Sequence, residues 1–219
     1  MKTVHIDVKN VKAAIFDMDG TMVDNNEFHK KAFQKFCQHY GFTLTEEDFM
    51  KNYSGRSNKQ LMPKVLGHDL SDEEIKKYAE EKESLYRDIY AAHIKPVEGL
   101  HELLAKLQKK HIKIAIATGA IQKNREFILN ALQLVGTFDV IVGDEEVKSG
   151  KPHPDIFLKT AEKLGVKPEN CIVFEDAPAG IAAAKKAGMK VIVLTTSHSK
   201  DALKDADLLI ENFSQLELV

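Results

Sequence analysis

Two aspartates one residue apart, Asp17 and Asp19, stand in the run Asp17-Met18-Asp19-Gly20-Thr21, directly after the apolar stretch VKAAIF. A second acidic pair, Glu175-Asp176, ends another apolar stretch, CIVFED, and Thr118-Gly119-Ala120 follows a third, IKIAIAT. Asp17, Asp19 and Asp176 offer hard oxygen ligands, which suit Mg2+ rather than softer metals, and no His or Cys cluster in the sequence competes for a transition ion. Carboxylates held close together repel one another, and a bound cation offsets that cost. Such a cation also shields an incoming phosphate from the acids, the condition under which a carboxylate can attack phosphorus. Thr118 brings a hydroxyl, and the Gly119-Ala120 turn brings backbone N–H donors, a cradle for phosphate oxygens. Lys151, between Gly150 and Pro152, supplies a compact positive charge for a nucleophile and a transferring phosphoryl group. A lone loop lysine is usually solvated, and loops at strand ends are wet in any protein. The weight lies in acids, a hydroxyl, a glycine and a lysine occurring as a set.

Five short apolar runs, rich in β-branched residues, are available to position that set: 11–16, 112–118, 139–143, 171–176 and 190–196. Their lack of alternation predicts strands buried on both faces, as in a parallel sheet covered by helices. Helical patterns fall between the later runs, at about 125–133, 154–165 and 179–187, with Gly165 and Gly188 as stops. This β-α-β-α rhythm predicts a doubly wound parallel-sheet α/β fold, Rossmann-like. In such sheets ligands bind outside the carboxyl ends of the strands, so polar residues distant in sequence are expected to converge on one crevice.

About seventy residues interrupt the rhythm after the first strand, from Asp24 to Ile94. Phe28, Ala32, Phe33, Phe36, Cys37 and Tyr40 share one helical face there, with Asp24 or Asn25 as N-cap. Ser71 and Glu74 resemble a capping box that opens a long charged helix through residue 93, with Ile75, Tyr78, Ala79, Lys82, Leu85, Tyr86 and Ile89 at helical spacing. We therefore expect residues 1–23 and 95–219 to form an α/β catalytic core, and residues 24–94 an inserted all-helical cap. The hinges lie near Asp24 and in the turn Lys95-Pro96-Val97-Glu98-Gly99.

The formal net charge of −2, with both signs interspersed, argues against a nucleic-acid footprint. The N-terminus lacks an apolar signal region, and no apolar run approaches the roughly 18 residues of a membrane span. Cys37 and Cys171 lie far apart in apolar runs and read as small buried hydrophobes. The chain reads as a cytoplasmic monomer, with no nucleic-acid or membrane partner, acting on a small phosphorylated metabolite.

The motif DMDGT at 17–21 resembles the first motif of the haloacid dehalogenase superfamily. Thr118-Gly119 is similar to its second motif, Lys151-Pro152 to its third and Glu175-Asp176 to its fourth, in the family's order. The stretch EDAPAGIAAAKKAGM at 175–189 also follows the family pattern, so the resemblance covers essentially the whole chain. The helical insertion resembles the cap of the β-phosphoglucomutase-like subgroup. That resemblance implies Asp17 as nucleophile, forming an aspartyl-phosphate, and Asp19 as acid/base, with Thr21 orienting the first aspartate and Gly20 permitting the tight turn. It implies Mg2+ held by Asp17, the Asp19 carbonyl and Asp176, with Glu175 adjoining. Phosphate contacts are implied for Gly20, Thr118, Gly119, Ala120 and Lys151. A dehalogenase lacks the second aspartate because halide leaves without a proton, so that activity is disfavoured.

Specificity is then expected from the cap. Asn25 and His29 sit one turn apart, and Ser54-Gly55-Arg56-Ser57-Asn58 resembles the subgroup's substrate loop, where Gly55 allows close approach and Arg56 offers a fork for a hydroxyl or a second phosphate. Lys82 aligns with a substrate-contacting lysine of the mutases, although a helix lysine is as readily solvated. The mutases' phosphate-gripping arginine corresponds here to Asn58, and the loop after Thr118 is less polar than theirs. Hydrolysis of a sugar phosphate is therefore the primary expectation. Interconversion of β-glucose 1-phosphate and glucose 6-phosphate is the alternative. A phospho-accepting receiver module, which needs neither lid nor proton donor, is a third.

Overall fold

The computed structural model describes residues 3–45 and 58–219. Two compact units emerge, one formed by Met1–Asp24 with Lys95–Val219, the other by Asn25–Ile94.

In the first unit six parallel strands form a sheet in the order β4-β3-β2-β5-β6-β7. They are β2 (Ala13–Phe16), β3 (Lys113–Thr118), β4 (Val140–Gly143), β5 (Cys171–Glu175), β6 (Lys190–Leu194) and β7 (Leu208–Ile210). A separate parallel pair joins β1 (Val4–Ile6) to β8 (Leu216–Leu218). Every residue of β2 and β5 is buried, the outcome the non-alternating apolar runs predict for strands covered on both faces. Helices α6 (Asp155–Leu164) and α7 (Pro178–Lys186) pack over one face, where Ile15, Ala117 and Val173 meet Phe157, Ala161 and Ile181 in one cluster. On the alternate side chains, Phe16 stacks on its register partner Phe174 with centroids 4.6 Å apart, and Phe213 meets Phe16 edge-on at 6.0 Å. Helix α4 (Leu100–Lys109) buries Leu100, Leu103, Leu104 and Leu107, an apolar stripe at helical spacing. Helix α5 (Gln122–Ala131) follows β3.

Strand order makes β2, β3 and β5 neighbours, so their carboxyl ends lie side by side: Phe16 pairs with Ile116 and with Phe174. The ends of the insertion also meet in this unit, where Val97 N–H donates to the Met22 carbonyl at 2.9 Å and Val23 bridges Pro96. Helix α6 ends at Gly165 with φ of 65°, and Gly188 follows α7 with φ of 75°, the left-handed conformations that suit glycine.

The described part of the second unit is helical: α1 (Asn26–His39), α2 (Asn58–Leu66) and α3 (Asp72–Tyr90). Phe33, Phe36 and Cys37 of α1 pack with Leu61, Met62 and Val65 of α2, with Tyr40, Tyr78 and Leu85 at the margin. Ser71 opens α3 with a complete capping box, its hydroxyl accepting from Glu74 N–H while the Glu74 carboxylate accepts from Ser71 N–H at 2.9 Å. Asn25 precedes α1 without capping it. Its side chain donates to the Tyr86 hydroxyl at 2.6 Å instead, a contact across 61 positions that no local pattern announces. Both cysteines are buried free thiols, and burial pushes the Cys37 thiol up to about 12 and Cys171 up to about 11. Among the described residues no helix is long and apolar enough to cross a membrane.

Candidate active site

Asp17 is the first residue past β2, held by its N–H to the Phe174 carbonyl at 2.9 Å. Beyond it the chain turns tightly. The Met18 carbonyl accepts from Met22 N–H at 2.8 Å, and Gly20 takes φ of 73°, so glycine is needed at the point where the turn reverses. This turn leaves Asp17 buried and Asp19 half-buried. Thr21 is fully buried, and its hydroxyl has no hydrogen-bond partner among the described residues. That hydroxyl makes no hydrogen bond to Asp17.

Lys151 comes from the loop before α6 and meets the acids directly. Its Nζ donates to Asp17 Oδ1 at 2.8 Å, to Glu175 Oε1 at 2.6 Å and to the Ala117 carbonyl at 3.2 Å, and it lies 5.1 Å above the Phe157 ring. Glu175, 1% exposed at the end of β5, accepts at Oε2 from the N–H groups of Asp176 (3.0 Å) and Ala177 (3.3 Å). A Cβ at Gly180 would strike this carboxylate, so the glycine lets the first turn of α7 close over Glu175. The role of Gly180 was not legible from sequence spacing.

Carboxylate oxygens of Asp17, Glu175 and Asp176, all three buried, lie within 4.8 Å of one another. Burial, the largest influence, pushes the Asp17 carboxyl from 3.8 up to about 7. The charges of Glu175 and Asp19 add to the rise, and Lys151 works against it. Asp176 is raised well above its ordinary value, first by burial and then by Glu175 and Asp17. For Lys151, burial alone would lower the ammonium, but Asp17 and Glu175 more than offset it and hold it protonated. Among the described residues, one ammonium thus faces three carboxylates. An all-oxygen donor set with a deficit of positive charge fits a hard divalent cation such as Mg2+ or Ca2+, and lacks the nitrogen and sulfur that select zinc or copper.

Thr118 ends β3, 1% exposed, and its Oγ1 accepts from Ala120 N–H at 3.2 Å. The expected cradle is therefore partly self-satisfied: the Ala120 N–H already has an acceptor. A Cβ at Gly119 would lie 3.2 Å from an Asp144 carboxylate oxygen. Of the acids after β4, Asp144 lies near enough to Lys151 to feel its charge, while Glu145 and Glu146 pair with other cations. Arg125 of α5 forks onto Glu145 and donates to the Ala120 carbonyl at 2.8 Å, while Glu146 pairs with Lys163. Arg125, which sequence reasoning missed, thereby ties the Thr118 turn to the end of β4.

Of the expected specificity residues, His29, Asn58 and Lys82 fall in the helical unit, and Gly55 and Arg56 lie outside the described residues. Glu83, which no motif marked, gathers the other three. Its carboxylate lies 2.5 Å from Lys82 Nζ, accepts from Asn58 Nδ2 at 3.3 Å and lies 3.7 Å from His29 Nδ1. The His29 ring stacks on Tyr86 at 3.7 Å.

The chain matches the model of the haloacid dehalogenase-like hydrolase family over residues 14–194. It belongs to that family, and it is an enzyme of the phosphatase and phosphomutase kind. It is 34% identical to a phosphorylated carbohydrates phosphatase of Thermotoga maritima, over 83% of this chain and 84% of that one. Identity to a β-phosphoglucomutase of Bacillus subtilis is 30%, over 95% and 92% of the two chains. Among solved structures, a haloacid dehalogenase-type hydrolase of family IA, variant 3, from Entamoeba histolytica superposes with a TM-score of 0.86. It shares 35% identity and covers 94% of this chain and 96% of that one.

Proposed function

We propose that the protein hydrolyses a small phosphorylated sugar or related metabolite in a Mg2+-dependent reaction, through an aspartyl-phosphate, an acyl phosphate formed on Asp17. The observation that carries this reading is the buried Asp17 carboxylate, held by Lys151 at 2.8 Å beside Glu175 and Asp176 at the ends of adjacent strands. Asp17 Oδ would attack phosphorus as the bond to the leaving oxygen breaks, and Asp19 would give that oxygen its proton. Asp19 would then take a proton from water as the water oxygen attacks phosphorus, releasing phosphate and restoring the Asp17 carboxylate. Lys151 offsets the charge gathered around Asp17 and the phosphoryl group. Asp17 and Asp176, with the Asp19 carbonyl, would hold the cation. The oxygens of Glu175 are already engaged by Lys151 and two backbone N–H groups. When bound, Mg2+ supplies charge neutralisation for the phosphoryl oxygens. Thr118 and Gly119 would meet those oxygens beside Gly20 and Lys151.

Residues 24–94, with His29, Gly55, Arg56, Asn58 and Lys82, are assigned by the same reading to substrate choice. The phosphatase and mutase relatives leave two acceptors in play, water and a sugar hydroxyl. Pairing of Lys82 with Glu83 at 2.5 Å favours water, because a mutase must grip a second phosphate and this lysine's charge is already matched.

A panel of sugar phosphates, assayed for both free phosphate and isomerised sugar, separates the two. Phosphate release is expected to outrun isomerisation for every sugar. Faster conversion of β-glucose 1-phosphate to glucose 6-phosphate than release of phosphate would establish the mutase instead. Asp17→Asn is expected to lower turnover at least ~10³-fold even on an activated aryl phosphate, and retained turnover would remove Asp17 as nucleophile.

A further inference from the structure

The segment leaving β6, Thr195-Thr196-Ser197-His198, belongs to none of the motifs above. β6 is the register neighbour of β5, with Val193 opposite Glu175, so the segment emerges beside the acidic pair. Its side chains reach two separate parts of the site. Ser197 Oγ donates to Asp176 Oδ2, and Thr196 Oγ1 donates to the Gly20 carbonyl at 2.5 Å. The two hydroxyls lie 3.3 Å apart, and His198 Nδ1 sits 3.2 Å from the Asp176 carbonyl oxygen.

We propose that Ser197 and Thr196 are positioning residues for the cation site, Ser197 by fixing the rotation of the Asp176 carboxylate and Thr196 by anchoring the turn that carries Asp19. The inference rests on the reading of Asp17 and Asp176 as cation ligands. Those ligands come from different strands, β2 and β5, and their spacing depends on what holds the two strand ends together beyond the backbone ladder. This segment does so from a third strand, touching the Asp17–Thr21 turn at one point and Asp176 at two. A carboxylate attached through a single-bonded side chain can turn its oxygens away from an ion; a hydroxyl donating to one oxygen removes that freedom. Partners of this kind behind a metal ligand typically alter affinity by about 10–100-fold. Both are assigned to act through the groups they hold, Asp176 and the Gly20 carbonyl.

The test uses the full chain and Mn2+ alone as the probe, following the electron paramagnetic resonance signal of free ion during titration. Ser197→Ala is expected to weaken Mn2+ binding about tenfold, with an unchanged melting temperature in EDTA. Ser197→Thr keeps a hydroxyl and is expected to stay near the parent. Ser199→Ala, at an exposed position two residues on, is the control expected to change nothing. A Ser197→Ala chain that binds Mn2+ like the parent, or a Ser197→Thr chain as weak as the alanine, overturns the proposal. Ser197→Gly removes the same hydroxyl and is judged by the same criterion if the alanine variant does not fold. A parent that takes up no Mn2+ overturns the cation reading along with this one; a parent that binds it with variants indistinguishable from it overturns this inference alone.

Discussion

Buried charge is handled differently in the two units. In the α/β unit Asp17, Glu175 and Asp176 crowd within 4.8 Å around the Lys151 ammonium, and burial pushes Asp17 up to about 7. In the helical unit, among the described residues, Lys82 and Glu83, both buried, meet at 2.5 Å, with Asn58 and His29 turned toward the same carboxylate. Folding gains nothing from leaving like charges unbalanced in a low-dielectric interior. An acid cluster that keeps such an imbalance is shaped for a ligand that completes it. A lysine beside a glutamate brings its own countercharge, and the two can present hydrogen-bonding groups of fixed geometry. The proposed function places cation and phosphoryl chemistry in the α/β unit and assigns the recognition of hydroxyls to the helical unit.

Removing Lys151 should break this contrast most sharply. Lys151→Met keeps an unbranched apolar stem but leaves Asp17 and Glu175 without their ammonium. Leaving buried charge uncompensated typically costs about 3–5 kcal/mol, and losing a charge aimed at the reacting group about 10²–10³-fold in turnover. Denaturant melts in EDTA and kcat on an aryl phosphate read the two losses. A variant as stable and active as the parent would mean that the acids do not depend on this lysine.

The cation should act in the opposite direction, and its effect carries a pH signature. Asp17 ionises near 7 when folded but near 3.8 when unfolded, so the metal-free folded state holds its proton more tightly. Stability contributed by this group is therefore lost as pH rises from about 4 to about 7. Mg2+ binds the ionised carboxylates and replaces the proton. Its stabilisation, about 2.7 kcal/mol at a hundredfold excess over Kd, should be largest above about pH 7 and shrink toward pH 5. Melting temperatures with and without Mg2+ across that range check it; an increment independent of pH would place the ion elsewhere.

What was legible in the sequence follows the same division. Strands β2 to β6 were visible because each is an unbroken apolar run, and the rule that ligands gather at carboxyl ends of parallel strands pointed to Asp17, Thr118 and Glu175-Asp176. The short strands β1, β7 and β8, of three residues each, offered no periodicity to read. Contacts between side chains far apart in the chain were also hidden: Arg125 forked onto Glu145, Ser197 donating to Asp176, Asn25 turned to Tyr86 rather than to its own helix. Gly180 stood in the family pattern after Glu175-Asp176, but only the Glu175 carboxylate against it explains the missing Cβ. In the helical unit the Ser71 capping box was readable because it is local. Glu83 was not, since a glutamate in a charged helix resembles its solvated neighbours until burial is known.

That same glutamate offers the gentlest way to sharpen the comparison. Glu83→Gln keeps the size and one acceptor oxygen but removes the charge that matches Lys82. If the helical unit recognises hydroxyls through this cluster, KM for a preferred sugar phosphate should rise by roughly three- to tenfold, the range expected for one hydrogen bond to a charged partner. Turnover of an aryl phosphate, assigned by the proposed reading to the α/β unit, should change by less than about twofold. The freed lysine should also favour a second anion, so a sugar bisphosphate should inhibit the variant more strongly than the parent. Equal losses on sugar and aryl substrates would show instead that Glu83 supports the fold of the helical unit, and that its balanced charge serves packing alone.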